Sequence, residues 1–246
     1  MHARNGHARL QCALFDLYGT TVDIEVDEDS PRLWHGLATA VRADAPVEAS
    51  NVRRLFQTFL REEKERGREG FLMDAVFRRL LSSLNARDDV GRIGKLFREL
   101  SLKTSRVRPY VEPLFERLRR SGVKLGIVSN AEAVLTRFEL DCYPILRTVQ
   151  TIVLSSEVGM QKPDPRIFGM ALEGIGAAPA NTVFIGNDWA ADVLGAQSAG
   201  LMAIYVNDRA PDGVRRTTDV SGAIEVAPTL DAIVDALRAF GWQEGG

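Results

Sequence analysis

Residues 12–21 have the sequence CALFDLYGTT, in which a short apolar run, 12–15, ends at Asp16. Four consecutive apolar residues bounded by a turn signal are typical of a strand that is covered on both faces, as the strands of a parallel sheet are. Ligands of open parallel sheets bind beyond the carboxyl ends of the strands. The stretch therefore predicts a buried strand that ends at a candidate nucleophile.

Similar apolar runs recur along the chain, and amphipathic helical patterns lie between them. We expect strands at 12–15, 124–128, 151–154, 182–185 and 202–206, with a further short strand at 223–226. We expect helices at 111–120, 131–140, 165–175, 190–199 and 230–240. Strands that alternate with helices predict an α/β fold, here a Rossmann-like parallel sheet with right-handed crossovers.

Residues 28–104 interrupt this alternation, because they contain no convincing strand and show three or four amphipathic helical patterns instead. The apolar faces of three patterns are Val52, Leu55, Phe56, Phe59 and Leu60; Leu72, Val76, Leu80 and Leu81; and Ile93, Leu96, Phe97 and Leu100. We therefore predict two domains, an α/β core formed by 1–27 and 105–246 and an α-helical cap domain formed by 28–104.

The composition favours a small-molecule partner. The 246-residue chain is 45% hydrophobic and has 31 basic and 33 acidic residues, so no global field favours nucleic acid or a membrane surface. Cys12 and Cys142 lack metal-type spacing, no apolar run is long enough to span a membrane, and the leader MHARNGHARL has no apolar h-region. These features predict a cytoplasmic protein and leave its oligomeric state open.

Polar residues follow four of the predicted strands, whose carboxyl ends should meet at one edge of the sheet. Taken singly, such residues are ordinary helix caps, turn residues or solvated loop side chains. Together they supply a carboxylate nucleophile, a hydroxyl and an amide for the group under attack, a lysine that offsets charge, and carboxylates for a divalent cation. The candidates are Asp16; Ser129 and Asn130 in GIVSNAE; Lys162 in GMQKPDP; and Asn187, Asp188 and Asp192 in FIGNDWAADVLGA.

The ordered motifs DLYGT, VSN, KPDP and GNDWAAD resemble those of the haloacid dehalogenase (HAD)-like hydrolase superfamily. The resemblance extends over nearly the whole chain, and the helical insertion lies where that superfamily has its first type of cap. It implies that Asp16 forms a covalent aspartyl intermediate, that Ser129 and Asn130 bind the group under attack, and that Lys162 stabilises its charge.

The resemblance also implies a Mg²⁺ cofactor. Its ligands would be the Asp16 carboxylate, the backbone carbonyl of Tyr18 and two carboxylates of the fourth motif. These carboxylates would be Asp188 and Asp192, and the spacing leaves Asn187 as an alternative for the first place.

Tyr18 departs from the pattern of the phosphatases in this superfamily, which usually have a second aspartate at this position. That aspartate protonates the leaving oxygen and then activates water, whereas a phenol with an ordinary pKa of about 10 is a poor base at neutral pH. The superfamily members that displace halide from 2-haloacids have a tyrosine here, and a halide leaves without help from an acid. Tyr18 alone therefore favours dehalogenation, and the residue that replaces the acid-base aspartate stays open.

The fourth motif favours phosphatase chemistry instead. The dehalogenases resemble one another in having Ser or Asn in place of the first metal-binding acid, whereas Asp188 and Asp192 are both present here. With Asp16 they would form three facing carboxylates that repel without a cation, and Mg²⁺ would neutralise them while attracting a phosphoryl group. The segment 20–36, TTVDIEVDEDSPRLWHG, is acidic and does not resemble the arginine-bearing helix of the dehalogenases.

We therefore expect an aspartyl-intermediate hydrolase, and first a Mg²⁺-dependent phosphatase of small organic phosphate esters. A 2-haloacid dehalogenase-type hydrolase is the alternative, and a catalytically weak protein that binds a phospho-ligand is a second alternative. Substrate choice should lie in the cap, where Arg32, Trp34 and His35 follow the first motif closely enough to face the cleft. Trp34 is equally a candidate core residue, and His35 a candidate surface or core residue.

Overall fold

The computed structural model describes residues 9–67, 72–211, 214–216 and 222–244, so most of the leader lies outside the described residues. The strands are β1 (Cys12–Phe15), β2 (Val22–Val26), β3 (Leu102–Val107), β4 (Lys124–Ser129), β5 (Thr151–Leu154), β6 (Thr182–Gly186), β7 (Met202–Val206), β8 (Val214–Arg216) and β9 (Ala223–Val226). The α-helices are α1 (Pro31–Ala40), α2 (Ala49–Glu65), α3 (Met73–Ser83), α4 (Val90–Ser101), α5 (Val111–Arg120), α6 (Ala133–Cys142), α7 (Ser155–Val158), α8 (Pro165–Ile175), α9 (Gly195–Ser198) and α10 (Leu230–Ala239). Of the helices in these ranges, none is both long and apolar enough to cross a membrane.

Seven strands form one sheet in the order β5-β4-β1-β6-β7-β9-β8. Neighbouring strands are parallel except β8, which runs antiparallel to β9 at one edge. β1 lies between β4 and β6, with Phe15 opposite Ile127 on one side and Ile185 on the other. This arrangement confirms the predicted α/β class and brings the carboxyl ends of β1, β4 and β6 together at one edge.

Apolar side chains cover both faces of this sheet, as the continuous apolar runs predict. On one face the ring of Phe15 lies 4.8 Å from that of Phe115 on α5, in a cluster that includes residues of α10. On the other face Phe184 packs edge-on against Phe168 of α8, with ring centroids 5.0 Å apart. Because every residue of β1 is buried, Asp16 follows a segment that is fixed on both faces.

Helices α1 to α4 form a separate hydrophobic cluster around four aromatic rings. Neighbouring rings have centroids 5.0 to 6.1 Å apart, and the residues are Trp34, Phe56, Phe77 and Phe97. These helices confirm the helical patterns within 28–104. The division of the chain into domains at 28 and 104 stays a prediction.

A two-stranded antiparallel ribbon joins these helices to the sheet, and the sequence patterns missed it. β2 pairs with β3, from Val22 opposite Val107 to Val26 opposite Leu102. The prediction that 28–104 contains no strand was therefore wrong at its end, where β3 begins. Most ribbon side chains are half-buried or exposed, so the ribbon lacks the continuous apolar runs that mark the buried strands.

The helix predicted at 190–199 begins instead with a π-helical segment, Trp189–Leu194, that runs into α9. The amides of Asp192 and Val193 both donate to the Asp188 carbonyl, and the second of these bonds has the wide spacing of a π-turn. Such turns are frequent at functional sites. In contrast, α6 begins only two residues later than predicted.

Candidate active site

Asp16 lies at the carboxyl end of the central strand, where neighbouring groups fix its backbone. Its amide donates to the Ile185 carbonyl of β6 at 2.9 Å, and its carbonyl accepts from the Thr21 hydroxyl at 3.1 Å. The carboxylate is 9% exposed, and its Oδ1 atom lies 2.6 Å from Nζ of Lys162. Among the hydrogen bonds of the described residues, the one on this carboxylate ends on Oδ1, so Oδ2 is the oxygen available for attack.

Lys162 is the centre of a buried charge cluster. Its Nζ atom lies 2.6 Å from Oδ1 of Asp16 and 2.6 Å from Oδ1 of Asp192. The Asn130 side chain holds the lysine backbone, because the Lys162 amide donates to Asn130 Oδ1 at 2.7 Å and Asn130 Nδ2 donates to the Lys162 carbonyl at 2.9 Å. Residues from the other three predicted motifs therefore contact Lys162: Asp16 and Asp192 at its ammonium group and Asn130 at its backbone.

Burial and charge act on this cluster in opposite directions. Burial by itself lowers the pKa of Lys162, but the charges of Asp16 and Asp192 outweigh burial and raise that pKa above its ordinary value. Burial, and then the charge of Asp16, raise the pKa of Asp192. When both carboxylates are ionised, the three side chains together keep one negative charge.

The side chains of Asn187 and Asp188 have different partners. Asn187 Oδ1 accepts from the Thr20 hydroxyl at 3.1 Å, so this side chain contacts the loop that follows Asp16. Asp188 instead caps the π-helical segment, because its Oδ1 atom accepts from the Ala191 amide at 2.8 Å. The side chain that lies against the motif-one loop is therefore that of Asn187 and not that of Asp188. Because the dehalogenases have Ser or Asn in place of the first acid, the fourth motif no longer favours a phosphatase over a dehalogenase.

The prediction that the carboxylates of Asp16, Asp188 and Asp192 face and repel one another needs a correction. Lys162 lies between Asp16 and Asp192 and offsets one of their two charges. The Asp188 side chain is exposed and bonded to its own helical turn. Charge repulsion alone is therefore a weaker argument for a bound cation than the sequence suggested.

The loop 16–20, which we call the motif-one loop, is fixed by its surroundings. Gly19 has a φ of +80°, which residues with side chains rarely adopt, and an added Cβ would lie 2.3 Å from Asn187 Nδ2. The Tyr110 hydroxyl donates to the Thr20 carbonyl. Both contacts hold the loop at the end of β1, and the first explains why glycine is required there.

The Tyr18 side chain contacts helix α6. Its hydroxyl donates to Glu139 and lies 3.1 Å from Oγ1 of Thr136. Burial, and then the negative charge of Glu139, raise the pKa of Tyr18 well above its ordinary value. The phenol therefore stays protonated at neutral pH, with even less phenolate available to accept a proton than in an ordinary tyrosine.

The remaining candidates lie in different surroundings. Ser129 is buried at the end of β4. Trp34 is 3% exposed, and its indole N–H donates to the Glu28 carbonyl at 3.0 Å. Arg32 and His35 are exposed on α1, and His35 Nδ1 lies 2.8 Å from a backbone carbonyl of the same helix. Trp34 is therefore a core residue, which was the alternative to its predicted contact with substrate. Substrate contacts by Arg32 and His35 stay predictions.

The residues that would hold Mg²⁺ each have an oxygen atom to offer, and oxygen is the ligand this ion prefers. They are the carboxylates of Asp16 and Asp192, the Tyr18 carbonyl and the Asn187 side chain. Within the described ranges no three acidic, His or Cys side chains are grouped as a metal site. The donor chemistry and the net negative charge fit the ion, with Asn187 and the Tyr18 carbonyl as neutral ligands.

Glu132, just before α6, contacts the helical insertion. Its Oε1 atom accepts from the Leu72 amide at 2.6 Å, at the N-terminus of α3, where backbone amides have no partner within the helix. Burial raises the pKa of Glu132 in spite of such hydrogen bonds. The carboxylate therefore joins the insertion to the second motif.

We expect Glu132→Gln to gain stability relative to the parent as the pH rises. The folded-state pKa of Glu132 lies above its unfolded value of about 4.3, so the parent loses stability as the pH rises through the folded pKa. Glutamine keeps an acceptor oxygen and does not titrate. Urea unfolding of both proteins at about pH 4 and about pH 7 measures the change, and a constant difference in free energy of unfolding would contradict it.

Solved structures with different chemistry share this fold. A HAD phosphatase from Thermococcus onnurineus has a TM-score of 0.61 at 22% identity, covering 93% of this chain and 98% of that one. A 2-haloacid dehalogenase from Pseudomonas syringae has a TM-score of 0.59 at 21% identity, covering 94% and 99%. These likenesses show the fold, and they do not separate a phosphatase from a dehalogenase.

Sequence comparison identifies the family. A glyceraldehyde 3-phosphate phosphatase from Methanothermobacter thermautotrophicus is 35% identical over 105 residues, 43% of this chain and 46% of the relative. The chain spans about half the length, or less, of the curated relatives it matches. The model of the haloacid dehalogenase-like hydrolases matches residues 10–200, from before β1 to beyond the fourth motif. The chain therefore belongs to the haloacid dehalogenase-like hydrolase family.

Proposed function

We propose that this protein hydrolyses small organic phosphate esters through a covalent intermediate on Asp16, with Mg²⁺ as cofactor. The proposal rests on the buried Asp16 carboxylate, which is held at the end of the central strand with one oxygen 2.6 Å from Lys162. A carboxylate nucleophile needs a fixed position and a nearby cation that offsets the charge of the phosphoryl group. Curated relatives named as phosphatases favour a phosphate ester over a carbon-halogen bond.

The first half of the reaction is attack of Asp16 Oδ2 on phosphorus. A bond forms between this oxygen and phosphorus as the bond from phosphorus to the ester oxygen breaks, which leaves an aspartyl phosphate. The ester oxygen departs with the electron pair, as p-nitrophenolate from p-nitrophenyl phosphate or as an alkoxide that takes a proton from water. Ser129 and Asn130 would bind the phosphoryl oxygens, since one N–H of Asn130 is bonded to Lys162 and the amide has a second. Lys162 offsets the charge that the nucleophile and the phosphoryl group bring together.

The second half is hydrolysis of the aspartyl phosphate by water, which restores Asp16 and releases phosphate. This step needs a base, and a phenol that stays protonated at neutral pH does not supply one. We therefore expect the intermediate to form faster than it is hydrolysed when the leaving group is good. A burst of p-nitrophenol before the steady state is the kinetic sign of such an intermediate.

Mg²⁺ would be held by the carboxylates of Asp16 and Asp192, the Tyr18 carbonyl and Asn187. When bound, the ion supplies positive charge that offsets the repulsion between a phosphate dianion and the carboxylates. Asn187 is our choice over Asp188, because it contacts the motif-one loop while Asp188 caps a helical turn. We further propose that helices α1 to α4 act as the cap that selects the leaving group.

We expect activity on phosphate esters to require Mg²⁺. A panel of phosphate esters and 2-haloacids, assayed with added Mg²⁺ and with a chelator, tests substrate and cofactor together. Phosphate release that stops on chelation and returns with Mg²⁺ is the expected result. Chelator-resistant halide release would instead support the dehalogenase, and ligand binding without turnover would support the catalytically weak protein.

Asn187→Ala and Asp188→Ala form a matched pair for the metal part of this prediction. Since each coordinate bond adds to the affinity of the site, Asn187→Ala should raise the Mg²⁺ concentration for half-maximal activity about tenfold or more. Asp188→Ala should change it less, because that carboxylate is bonded to the Ala191 amide. The opposite order of effects would make Asp188 the ligand.

A further inference from the structure

Helix α4 of the insertion rests directly on α6 of the sheet domain. The Gly94 backbone approaches Val134 so closely that an added Cβ would lie 2.6 Å from the Val134 carbonyl oxygen. Leu135 of α6 belongs to the hydrophobic cluster of the insertion. Lys95 Nζ lies 5.8 Å from the centre of the Phe138 ring. This packing of α4 on α6 determines which residues of α6 the next turn of α4 contacts.

Arg98 lies one turn beyond Gly94 on the same face of α4. Its Nε atom lies 3.1 Å from Oε1 of Glu139 on α6, and the two side chains are 12% and 7% exposed. Its Cζ atom also lies 6.0 Å from the centre of the Tyr18 ring. One side chain of the insertion is therefore next to both α6 and the motif-one loop.

Glu139 connects Arg98 to Tyr18. One carboxylate oxygen faces the guanidinium, and the other accepts the hydrogen bond from the Tyr18 hydroxyl. Tyr18 follows Asp16 by two residues, in the loop whose backbone is also held by Tyr110. The chain of contacts thus runs from the insertion to the loop that begins at Asp16.

Stability alone does not explain this buried ion pair. On average a buried pair stabilises no more than well-packed apolar side chains of similar volume. Within the described residues, Arg98 Nε and Glu139 Oε1 are buried and make no hydrogen bond of good geometry, although they lie 3.1 Å apart. The best-documented role of buried polar groups of this kind is to fix one arrangement of neighbouring structural elements.

We propose that Arg98 is a positioning residue for the hydrolase reaction: seated on α6, it fixes Glu139, which fixes the Tyr18 hydroxyl and with it the motif-one loop. The inference rests on the proposed function of Asp16 as nucleophile. It gives Tyr18 the role of an anchor for this loop, through the hydroxyl that donates to Glu139.

The first test compares Arg98→Met with Lys95→Met, a change on the same helix at a side chain that lies over Phe138. We expect Arg98→Met to slow the p-nitrophenol burst at saturating p-nitrophenyl phosphate about tenfold or more, because a misplaced nucleophile slows attack on phosphorus, which is the step that the burst measures. Lys95→Met should keep the burst rate within about twofold of the parent.

A second readout does not depend on activity. Backbone hydrogen exchange in residues 16–22 should be faster in Arg98→Met and in Tyr18→Phe than in the parent and Lys95→Met, because the loop has lost its anchor. The double variant Arg98→Met, Tyr18→Phe should have a burst rate no lower than that of the slower single variant, since both changes break one chain of contacts.

Two outcomes would overturn the positioning role. One is unchanged exchange at 16–22 in a folded Arg98→Met protein, and the other is losses of burst rate that multiply in the double variant. Arg98→Gln provides the same comparison if the Met variant does not fold. A parent protein without phosphatase activity would overturn the proposed function alone, and the exchange comparison would then decide the role of Arg98.

Discussion

Asp16→Asn is expected to abolish turnover of p-nitrophenyl phosphate while the protein stays folded. The amide keeps the volume of the carboxylate but is not a nucleophile. Loss of a nucleophile that forms a covalent intermediate costs about 10⁴-fold or more in kcat. The fold should survive, because Lys162 keeps Asp192 as a partner at 2.6 Å and one of two like charges is removed.

Asp235→Asn is the control, since Asp235 is an exposed residue of α10 that pairs with Arg238 at 3.0 Å. It should match the parent in kcat and in thermal midpoint. The p-nitrophenol burst and phosphate bound covalently to the protein should both disappear in Asp16→Asn and persist in the control. Comparable steady-state rates in Asp16→Asn and the parent would exclude the covalent mechanism.

The buried part of the fold was predictable because its strands are covered on both faces. Mainly apolar runs located β1, β5, β7 and β9 with their observed bounds, since none of the residues in these strands is exposed. The ribbon formed by β2 and β3 has half-buried and exposed side chains. Its alternation at Val22, Ile24 and Val26 was a period-two signal that could have located β2.

The residues that meet at the carboxyl edge of the sheet were also predictable. Asp16, Asn130, Lys162 and Asp192 follow strands whose carboxyl ends adjoin, and the structure brings them together. Strand order and motif position are enough for that inference. The details of these contacts depend on loop geometry, which motif spacing does not determine. Examples are the carboxylate oxygens that Lys162 contacts and the bonds from Asn130 to the lysine backbone.

The partners of Tyr18 could not be predicted, because they come from distant helices. Glu139 is 121 residues away in the chain, and Arg98 belongs to the insertion. Each lies in an amphipathic helical pattern where a charged residue is normally solvated. Only the packing of α4 on α6, which depends on the close approach of Gly94 to Val134, makes these side chains neighbours.

Lys162→Met is expected to lower both stability and activity by large amounts. Methionine has a similar length but no charge, so Asp16 and Asp192 would remain as two facing carboxylates that are 9% and 1% exposed. Removing one partner of a buried ion pair costs about 3 to 5 kcal/mol. We also expect a loss of about 10²-fold or more in kcat, because the cation that offsets the phosphoryl charge is gone.

The loss of stability in Lys162→Met should depend on pH. Without the ammonium, burial and mutual repulsion raise the folded-state pKa values of both carboxylates above their unfolded values. The native variant then binds more protons than the unfolded chain, so its stability falls as the pH rises. Urea unfolding should therefore show a larger difference from the parent at about pH 8 than at about pH 5.

Lys103→Met is the matched control, because Lys103 also has two acidic partners, Glu25 at 3.4 Å and Asp27 at 3.7 Å, and is half-exposed. Exposed pairs contribute about 0 to 1 kcal/mol, so this change should be nearly neutral. Adding Asp192→Asn to Lys162→Met should recover part of the lost stability without recovering activity, since it removes the repulsion and leaves the site without its cation. If the second substitution recovers nothing, the loss comes from packing around the lysine stem, and the charge cluster is not what holds the site together.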